Sequence, residues 1–449
     1  MRIHKIKSPL IYEDLRLNAG YFLNEDALNS RRLEFNRDKT VCLEQIANVW
    51  NPPIFKRQFC QKTERAVQYF QSSDVTNLLE GSTTYILKEQ AEAKNTIVKT
   101  NQILVTGFGT IGNTKLVNEL TNGTSFANNV CRIEVNQDNL YGYVYAFMSS
   151  KYGRSQLNKN ASGSVVRYIE APGIKKTLVP LLSKEKQTKI HQLIVDAAAL
   201  RVEANRLLEE AVSYFDFLKT TYTPGESVSN KVSIGTLNNG NKRFDGSYNI
   251  ISNEVEKIIE EQNIEFVTIS RLASGIFIGP RSKRNYLDNG VPFLSTSEMQ
   301  KADPTKTEKF ISKSVAEDFL VKEGWLLTTR SGTLGDTVFV LPCMNDYAVT
   351  EDAIRIVTSK ESCLTNKYLF AFLKSDLGRS SLLSGSYGSV ILHLNEGYVG
   401  EIKVPVLTDK KQRAIENNVS QFVDKIDLAI KKENQAISLI EKEIDLWQN

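Results

Sequence analysis

Two long stretches of the chain repeat apolar residues at steps of three and four. The first runs Ile190, Leu193, Ala197, Leu200, Ala204, Leu207, Ala211, Tyr214 and Leu218. The second runs Val419, Val423, Ile426, Ile430, Glu433, Ile437, Ile440, Ile444 and Trp447, with Glu433 its polar exception. Such spacing keeps one narrow stripe of a helix turned toward a partner, the a/d seam of a coiled coil. Neither stretch holds Gly or Pro, and Ser183 and Thr408 stand where capping side chains belong. The pattern predicts long helices over 183–222 and 408–449. At 1.5 Å per residue, about 36 residues make a rod of about 54 Å.

A narrow seam needs a second helix, and each stretch is the other's nearest candidate. The expectation is an antiparallel pair with Ile190, Leu193, Leu200 and Leu207 facing Ile426, Ile430, Ile437 and Ile440. The plainer alternative is two amphipathic helices, each lying on its own domain. The remaining segments, 1–182 and 223–407, alternate in a different way. "NQILVTG", "VCRIEV", "WLLTTR", "TVFVLP" and "AIRIVT" read as strands, while "YVYAFMSSKYGRSQL" and "YLFAFLKSDLGRSSLL" have helical spacing. Both segments are therefore expected to be mixed α/β domains.

The chain is written twice, at a shift of about 225 residues. "YVYAFMSSKYGRS" (143–155) falls on "YLFAFLKSDLGRS" (368–380), and "LVPLLSKEKQTKI" (178–190) on "KVPVLTDKKQRAI" (403–415). "SGSVV" (162–166) falls on "YGSVI" (387–391), "AVQYFQSSDV" (66–75) on "GVPFLSTSEM" (290–299), and "VCLEQIANV" (41–49) on "VTISRLASG" (267–275). Landmarks recurring in one order and register make a duplication: α/β domain, helix, α/β domain, helix. The expected fold is two α/β domains separated by two long antiparallel coiled-coil helices with pseudo-two-fold symmetry.

The repeat also disposes of two motifs. "GFGTIG" (107–112) is a literal G-x-G-x-x-G, but its counterpart "TRSGTLG" (329–335) keeps only the Gly-Thr-apolar-Gly half. A dinucleotide turn needs its first glycine and a helix directly after. Here "NTKLV" and "DTVFV" follow, so a glycine hairpin between strands fits better. "NPPI" (51–54) evokes the Asn-Pro-Pro-aromatic signature of amino-group methyltransferases, yet it lacks the aromatic that stacks on a flipped base. It reads as part of a loop, "WNPPIFKRQF", with a basic and aromatic tip.

Composition changes this picture little. The chain has 449 residues, 41% of them hydrophobic and 24% charged, and no run of eighteen apolar residues, as expected for an ordinary soluble protein without a membrane span. Met1-Arg2-Ile3-His4-Lys5 is not followed by the apolar run of a secretory signal, so the cytoplasm is the expected compartment. Five cysteines without a C-x-x-C, and three histidines far apart, argue against a zinc site or disulfide framework. A net charge of +4 is compatible with a nucleic-acid partner and demands none. No nucleophile–base set, metal cluster or phosphate loop is legible, and the chain is expected to be no enzyme.

The duplicated modules, the two long helices, the [LV]-x-T-x-x-G-T-[IL]-G element and the series from "YLFAFLKS" through "VPVL" and "KKQ" resemble the specificity (S) subunit of type I restriction–modification systems. "RLNAGYF" (16–22) is similar to a stretch near the N-terminus of such subunits, where Asp usually replaces Asn18. The resemblance covers the whole chain. It implies target recognition domains at 1–182 and 223–407, each reading half of a bipartite site in double-stranded DNA, with the helices 183–222 and 408–449 fixing the gap. It further implies docking of two methyltransferase subunits, which use S-adenosylmethionine on adenine N6, and of ATP-driven restriction subunits. The S subunit itself would hold no cofactor or metal. The competing reading is a coiled-coil scaffold with two protein-binding modules and no DNA role.

On that reading, candidate DNA contacts lie where the copies diverge. Lys56 and Arg57 face Arg281, Lys283 and Arg284 in the counterpart loop; Arg suits guanine O6/N7, and Lys suits guanine or phosphate. The same loops also read as ordinary solvated basic turns. Arg330 beside the Gly-Thr turn, Arg167 after Gly163-Ser164, and His393 near the matching position are further candidates. Ser164 and Ser389 could offer backbone N–H groups to phosphate, or act only as turn residues. Ser72-Ser73-Asp74 and Ser295-Thr296-Ser297-Glu298 read equally as base contacts or as helix caps.

Overall fold

The structure, a computed structural model, describes residues 24–79, 81–162, 167–220, 246–281, 283–331, 334–388 and 392–447. The chain forms two compact units, one of Met1–Val202 with Leu428–Asn449, the other of Glu203–Asp427.

Unit 1 opens with helix α1 (Glu25–Phe35), capped by Asn24, whose side chain accepts the Ala27 N–H at 2.7 Å. Strands β1 (Thr40–Cys42), β2 (Ala47–Trp50), β3 (Phe59–Cys60), β4 (Ala66–Phe70), β5 (Tyr85–Leu87), β6 (Ile103–Thr106), β7 (Thr114–Leu116), β8 (Ser125–Phe126) and β9 (Val130–Val135) follow. They build one sheet in the order β2-β9-β6-β7 and another in the order β3-β5-β4-β8. Helices α2 (Tyr141–Ser149) and α3 (Lys151–Lys159) meet at Ser150, whose hydroxyl accepts the Gly153 N–H and donates to Phe147 O. Strand β10 (Leu178–Pro180) returns to pair with β1, and the chain enters helix α4 (Lys184–Ser213).

Unit 2 repeats the plan. Helix α5 (Gly246–Glu260) leads to strands β11 (Phe266–Thr268), β12 (Ala273–Phe277), β13 (Val291–Leu294), β14 (Phe310–Ile311), β15 (Leu326–Thr329), β16 (Thr337–Phe339), β17 (Ala348–Val349) and β18 (Ala353–Thr358). The sheet order β12-β18-β15-β16 matches β2-β9-β6-β7 strand for strand, and β14-β13-β17 matches β5-β4-β8. Even the mixed polarity is kept: β4 is parallel to β8 and antiparallel to β5, as β13 is to β17 and β14. Helices α6 (Asn366–Lys374) and α7 (Asp376–Ser384) meet at Ser375, which accepts the Gly378 N–H. Strand β19 (Lys403–Pro405) pairs with β11, and helix α8 (Asp409–Asp445) closes the described chain. The mixed α/β duplication read from the sequence is the observed architecture. Among the described residues, no helix is long and apolar enough to cross a membrane.

The cores explain the pattern. Central strands β6 and β15 are buried along their whole length, because a sheet covered on both faces needs runs rather than alternation. Tyr143 and Tyr368 bury their rings but keep a polar handle: each hydroxyl donates to a carbonyl, Pro180 O at 2.8 Å and Pro405 O at 2.7 Å. The unit 1 core also takes Ala436, Ile437, Ile440 and Ile444 of α8 against Ile190 and Ile194 of α4. The helices run antiparallel within that unit, since Lys186 pairs with Glu443 and Asp196 with Lys432. Glu203 pairs with Lys425 inside unit 2.

The seam of α4 differs from the one expected. Its buried stripe, with the turn that follows, is Ile190, Ile194, Ala197, Ala204, Leu208, Ala211, Phe215 and Leu218, whereas Leu193, Leu200 and Leu207 are only half-buried. Two apolar stripes lie one residue apart here, and hydrophobicity alone picks the leucines. The deciding position is Arg201, which keeps the spacing of three and four between Ala197 and Ala204. Its guanidinium meets the Glu433 carboxylate at 3.0 Å, and Tyr145 donates to the same carboxylate at 3.1 Å. Glu433 is thus part of the seam, not a break in it. On α8, Ile426, Ile430, Ile437 and Ile440 are buried as expected. Helix α4 ends at Ser213, short of the expected 222, because Phe215 turns inward against Tyr368 and Phe372.

Candidate nucleic-acid interface

Strand β2 ends at Trp50 and releases the loop 51–58, which has no regular structure. Asn51 anchors its start, donating to Asn128 O at 3.3 Å and accepting the Ala171 N–H at 2.8 Å. That is a framework role for the "NPPI" asparagine. Gln90 clamps the loop's far end through Lys56 O and the Gln58 N–H. Backbone held at both ends leaves the side chains of Lys56 and Arg57 exposed. The Arg57 guanidinium lies 5.5 Å from the centre of the Tyr69 ring and donates to the Asn128 side-chain oxygen at 3.2 Å.

The "GFGTIG" segment joins antiparallel β6 and β7, the hairpin that its repeat partner implied. Its Gly107 N–H donates to Asn129 O at 3.0 Å, and its carbonyl accepts from Ile169 N. A Cβ at Gly107 would stand 2.5 Å from Ile169 O, so a side chain there would force the Ile169 backbone away. Gly109 turns the hairpin with φ +73. Between them, Phe108 stacks on Tyr168 with ring centres 5.5 Å apart, each residue 38% exposed. Arg167, also exposed, folds back to donate to Asn158 O near the end of α3. Loop 51–58, residues 127–129, the hairpin and residues 167–169 thus form one connected cluster.

Unit 2 holds the equivalent cluster with other side chains. Phe293 pairs with Ala348 as Tyr69 pairs with Ser125, so the two rings share one place on the same strand. Arg284 lies over Phe293 at 4.9 Å, as Arg57 lies over Tyr69. Its hydrogen-bond partner is Glu351, at 2.7 Å. Arg330 takes the place of Gly107, its N–H donating to Asp352 O at 2.8 Å and its carbonyl accepting from Leu394 N. Bridges Ser331 to His393 and Tyr387 to His393 match Phe108 to Tyr168 and Ser162 to Tyr168. His393 therefore stands at the Tyr168 position, one residue beyond the Arg167 position. In this unit the exposed Tyr387 packs against the half-buried His393, ring centres 5.9 Å apart. Arg281 and Lys283 are exposed, while Arg284 is part-covered by its ion pair. Ser164 and Ser389 lie outside the described residues, as does the stretch 16–22.

The two acidic-polar segments behave as caps. In unit 1 the Gln71 N–H donates to Asp74 at 2.7 Å; in unit 2 the Ser295 N–H donates to Glu298 at 3.0 Å, and Lys309 also holds that carboxylate. Serine hydroxyl, backbone N–H and Lys309 together outweigh the burial that would raise the Glu298 pKa, and hold it below the usual range.

Two residues that matter were not singled out in the sequence. Arg132 on β9 donates to Ala127 O, Phe126 O, Thr96 O and Val130 O; Arg355 on β18 donates to Thr350 O, Ala353 O and Val349 O. These guanidiniums fix the loops that present Asn128 and Glu351 to Arg57 and Arg284. Burial pushes both pKa values down to about 10. The signal was available: a lone arginine inside an apolar strand, in "VCRIEV" and again in "AIRIVT".

No curated protein is significantly similar to the chain in sequence. Among solved structures it is similar to the type I restriction-modification S subunit of M. genitalium, at 14% identity over 91% of this chain and 96% of that one, with a TM-score of 0.36. It is also similar to the HsdS subunit of Thermoanaerobacter tengcongensis, at 14% identity over 91% and 97% of the two chains, with a TM-score of 0.28. Identities and scores at this level leave the assignment to the sequence match. Residues 38–206 and 278–439, most of the chain, match the type I restriction modification DNA specificity domain. The two matched stretches each carry one copy of the cluster described above, and the chain belongs to that family.

Proposed function

We propose that each unit reads one half of a bipartite target in double-stranded DNA, and that the chain delivers this recognition to methyltransferase and restriction subunits. One observation carries the reading: a shared scaffold that presents the same cluster twice with different side chains. Arg57, Asn128, Gly107, Phe108 and Tyr168 in one copy stand where Arg284, Glu351, Arg330, Ser331 and His393 stand in the other. A conserved frame with divergent exposed tips suits a protein that must read two different half-sites. Cations and stackable rings supply the phosphate and base chemistry. Lys56, Arg57 and Arg167 serve the first half-site; Arg281, Lys283, Arg330 and His393 serve the second.

The chain contributes specificity and no catalysis. Two methyltransferase subunits dock on it and use S-adenosylmethionine to methylate adenine N6, and restriction subunits use ATP. Helices α4 and α8 hold the half-site spacing. Acting on the host's own DNA, the chain works in the cytoplasm. The test is a methylation map of the host genome with and without this gene. Loss of a single two-part adenine motif is the expected result. An unchanged map in cells that express the chain and its methyltransferase subunits would reject the reading.

A further inference from the structure

The two loop arginines share a place but not a partner. Each lies over the aromatic ring of the same strand position, Arg57 over Tyr69 and Arg284 over Phe293. Each reaches back to the same loop, two residues before the strand that carries the buried arginine. There the partners part: Asn128 is neutral, and Glu351 is a carboxylate. The Arg284–Glu351 contact is close, at 2.7 Å, and set in from the surface, with side chains 20% and 12% exposed. A charge-assisted pair of this kind is shorter and stronger than the Arg57 contact at 3.2 Å with an amide.

We propose that Glu351 sets the charge with which unit 2 meets DNA: it neutralises Arg284, while Asn128 leaves Arg57 a whole cation for the first half-site. The inference rests on the DNA-reading function above and adds to it. Unit 2 compensates one turn away. Arg330 occupies the Gly107 position, and its Nε is buried with no partner among the described residues. Unit 2 thus holds a cation at the hairpin position where unit 1 has glycine, beside the exposed Arg281 and Lys283 of its loop. A phosphate or guanine contact adds about one unit to the salt dependence of binding. Glu351 also leaves Arg284 bound across the ring as a rigid wall of the site instead of a mobile contact.

The test uses the chain in complex with its methyltransferase subunits. The probe is a duplex bearing the two-part motif recovered from the methylation map, titrated over a range of salt. R57A is expected to lower the slope of log affinity against log salt by about one, and the double substitution R284A with E351A, which removes a neutral pair, to leave it unchanged. E351Q keeps the size and the acceptor but removes the charge; it is expected to raise the slope by about one and to weaken discrimination in the second half-site. Equal losses for R57A and the R284A/E351A double variant would overturn the inference, as would an unchanged slope for E351Q. Because E351Q is isosteric, it decides the matter even where the double variant disturbs unit 2. Failure of the unaltered complex to prefer the motif over a scrambled duplex would strike the DNA-reading function instead.

Discussion

Arg132 and Arg355 occupy the same point of the two units, each fully buried and each wrapped by backbone carbonyls. Their register partners agree: Arg132 stands across from Trp50 on β2, and Arg355 across from Phe277 on β12. A guanidinium suits this place because it can donate in several directions in one plane. Arg132→Met would keep the apolar stem but take a donor from the carbonyls of Phe126, Ala127 and Thr96, the last two keeping only the Val130 and Phe126 N–H groups. We expect a loss of about 3 kcal/mol, with the unit 1 transition moved in chemical denaturation. Asn128 loses its fixed position with that loop, so on the DNA-reading function proposed above, affinity for the first half-site should fall while the second is untouched. Equal damage to both half-sites would contradict the positioning role.

The frame was legible and the tips were not. Duplication, hairpin and helices all follow from spacing, because period and glycine placement report backbone directly. The α4 seam was half legible: Ile190, Ala197, Ala204 and Ala211 were read correctly, and the stripe through Leu193, Leu200 and Leu207 lost to one that includes Arg201. A charged seam residue is visible only once its partner on a distant helix is known. The same holds for Arg284. Loop sequence shows a cation, but Glu351, 67 positions further on, decides what that cation is free to do. The Phe108–Tyr168 pair needs two loops brought together by backbone bridges, which no local pattern records.

Tyr143 and Tyr368 offer a matched test of the core. Each phenol donates to a buried proline carbonyl at the end of the first-to-last strand pair of its unit. Tyr143→Phe and Tyr368→Phe should each cost about 1 kcal/mol. The double substitution should cost the sum, since the sites lie in different units and share no partner. A coupling above about 0.5 kcal/mol in thermal or denaturant unfolding would show that the units do not unfold independently.

The Arg201–Glu433 pair breaks the internal symmetry of the helices. Gln187 matches Gln412 in the repeat, so Arg201 stands where Ile426 does and Glu433 where Leu208 does; the matching positions are buried and apolar. Glu433→Leu would take the carboxylate from a largely buried guanidinium and should destabilise by about 3 kcal/mol. Arg201→Ile with Glu433→Leu, which copies the other pair, should recover most of that loss. A double variant as unstable as the single one would show that the loss comes from removing the carboxylate's bond with Tyr145 and not from the stranded guanidinium.

His191 provides a pH dependence near neutrality. Its Nδ1 accepts the Gly142 N–H at 3.1 Å, at the first turn of α2, and burial lowers its pKa from the ordinary 6.5. A base whose folded pKa is depressed binds its proton more readily in the unfolded chain. Stability is therefore whole above pH 6.5 and declines as pH falls from 6.5 toward the lower folded value. His191→Gln, which can accept but does not titrate, should flatten that decline below pH 6.5 in thermal melts. An identical decline in the variant would assign it to another group.

Unit 1 begins the chain and also needs its last helix. Its core is closed by Ala436, Ile437, Ile440 and Ile444, whereas unit 2 is one continuous stretch from Glu203 to Asp427. Translation therefore delivers the pieces out of the usual order, in which the leading domain folds while the rest is still being made. The second recognition unit has all its residues before the first does. Until α8 leaves the ribosome, the first unit waits with Ile190 and Ile194 uncovered, and a chaperone would find it in that state.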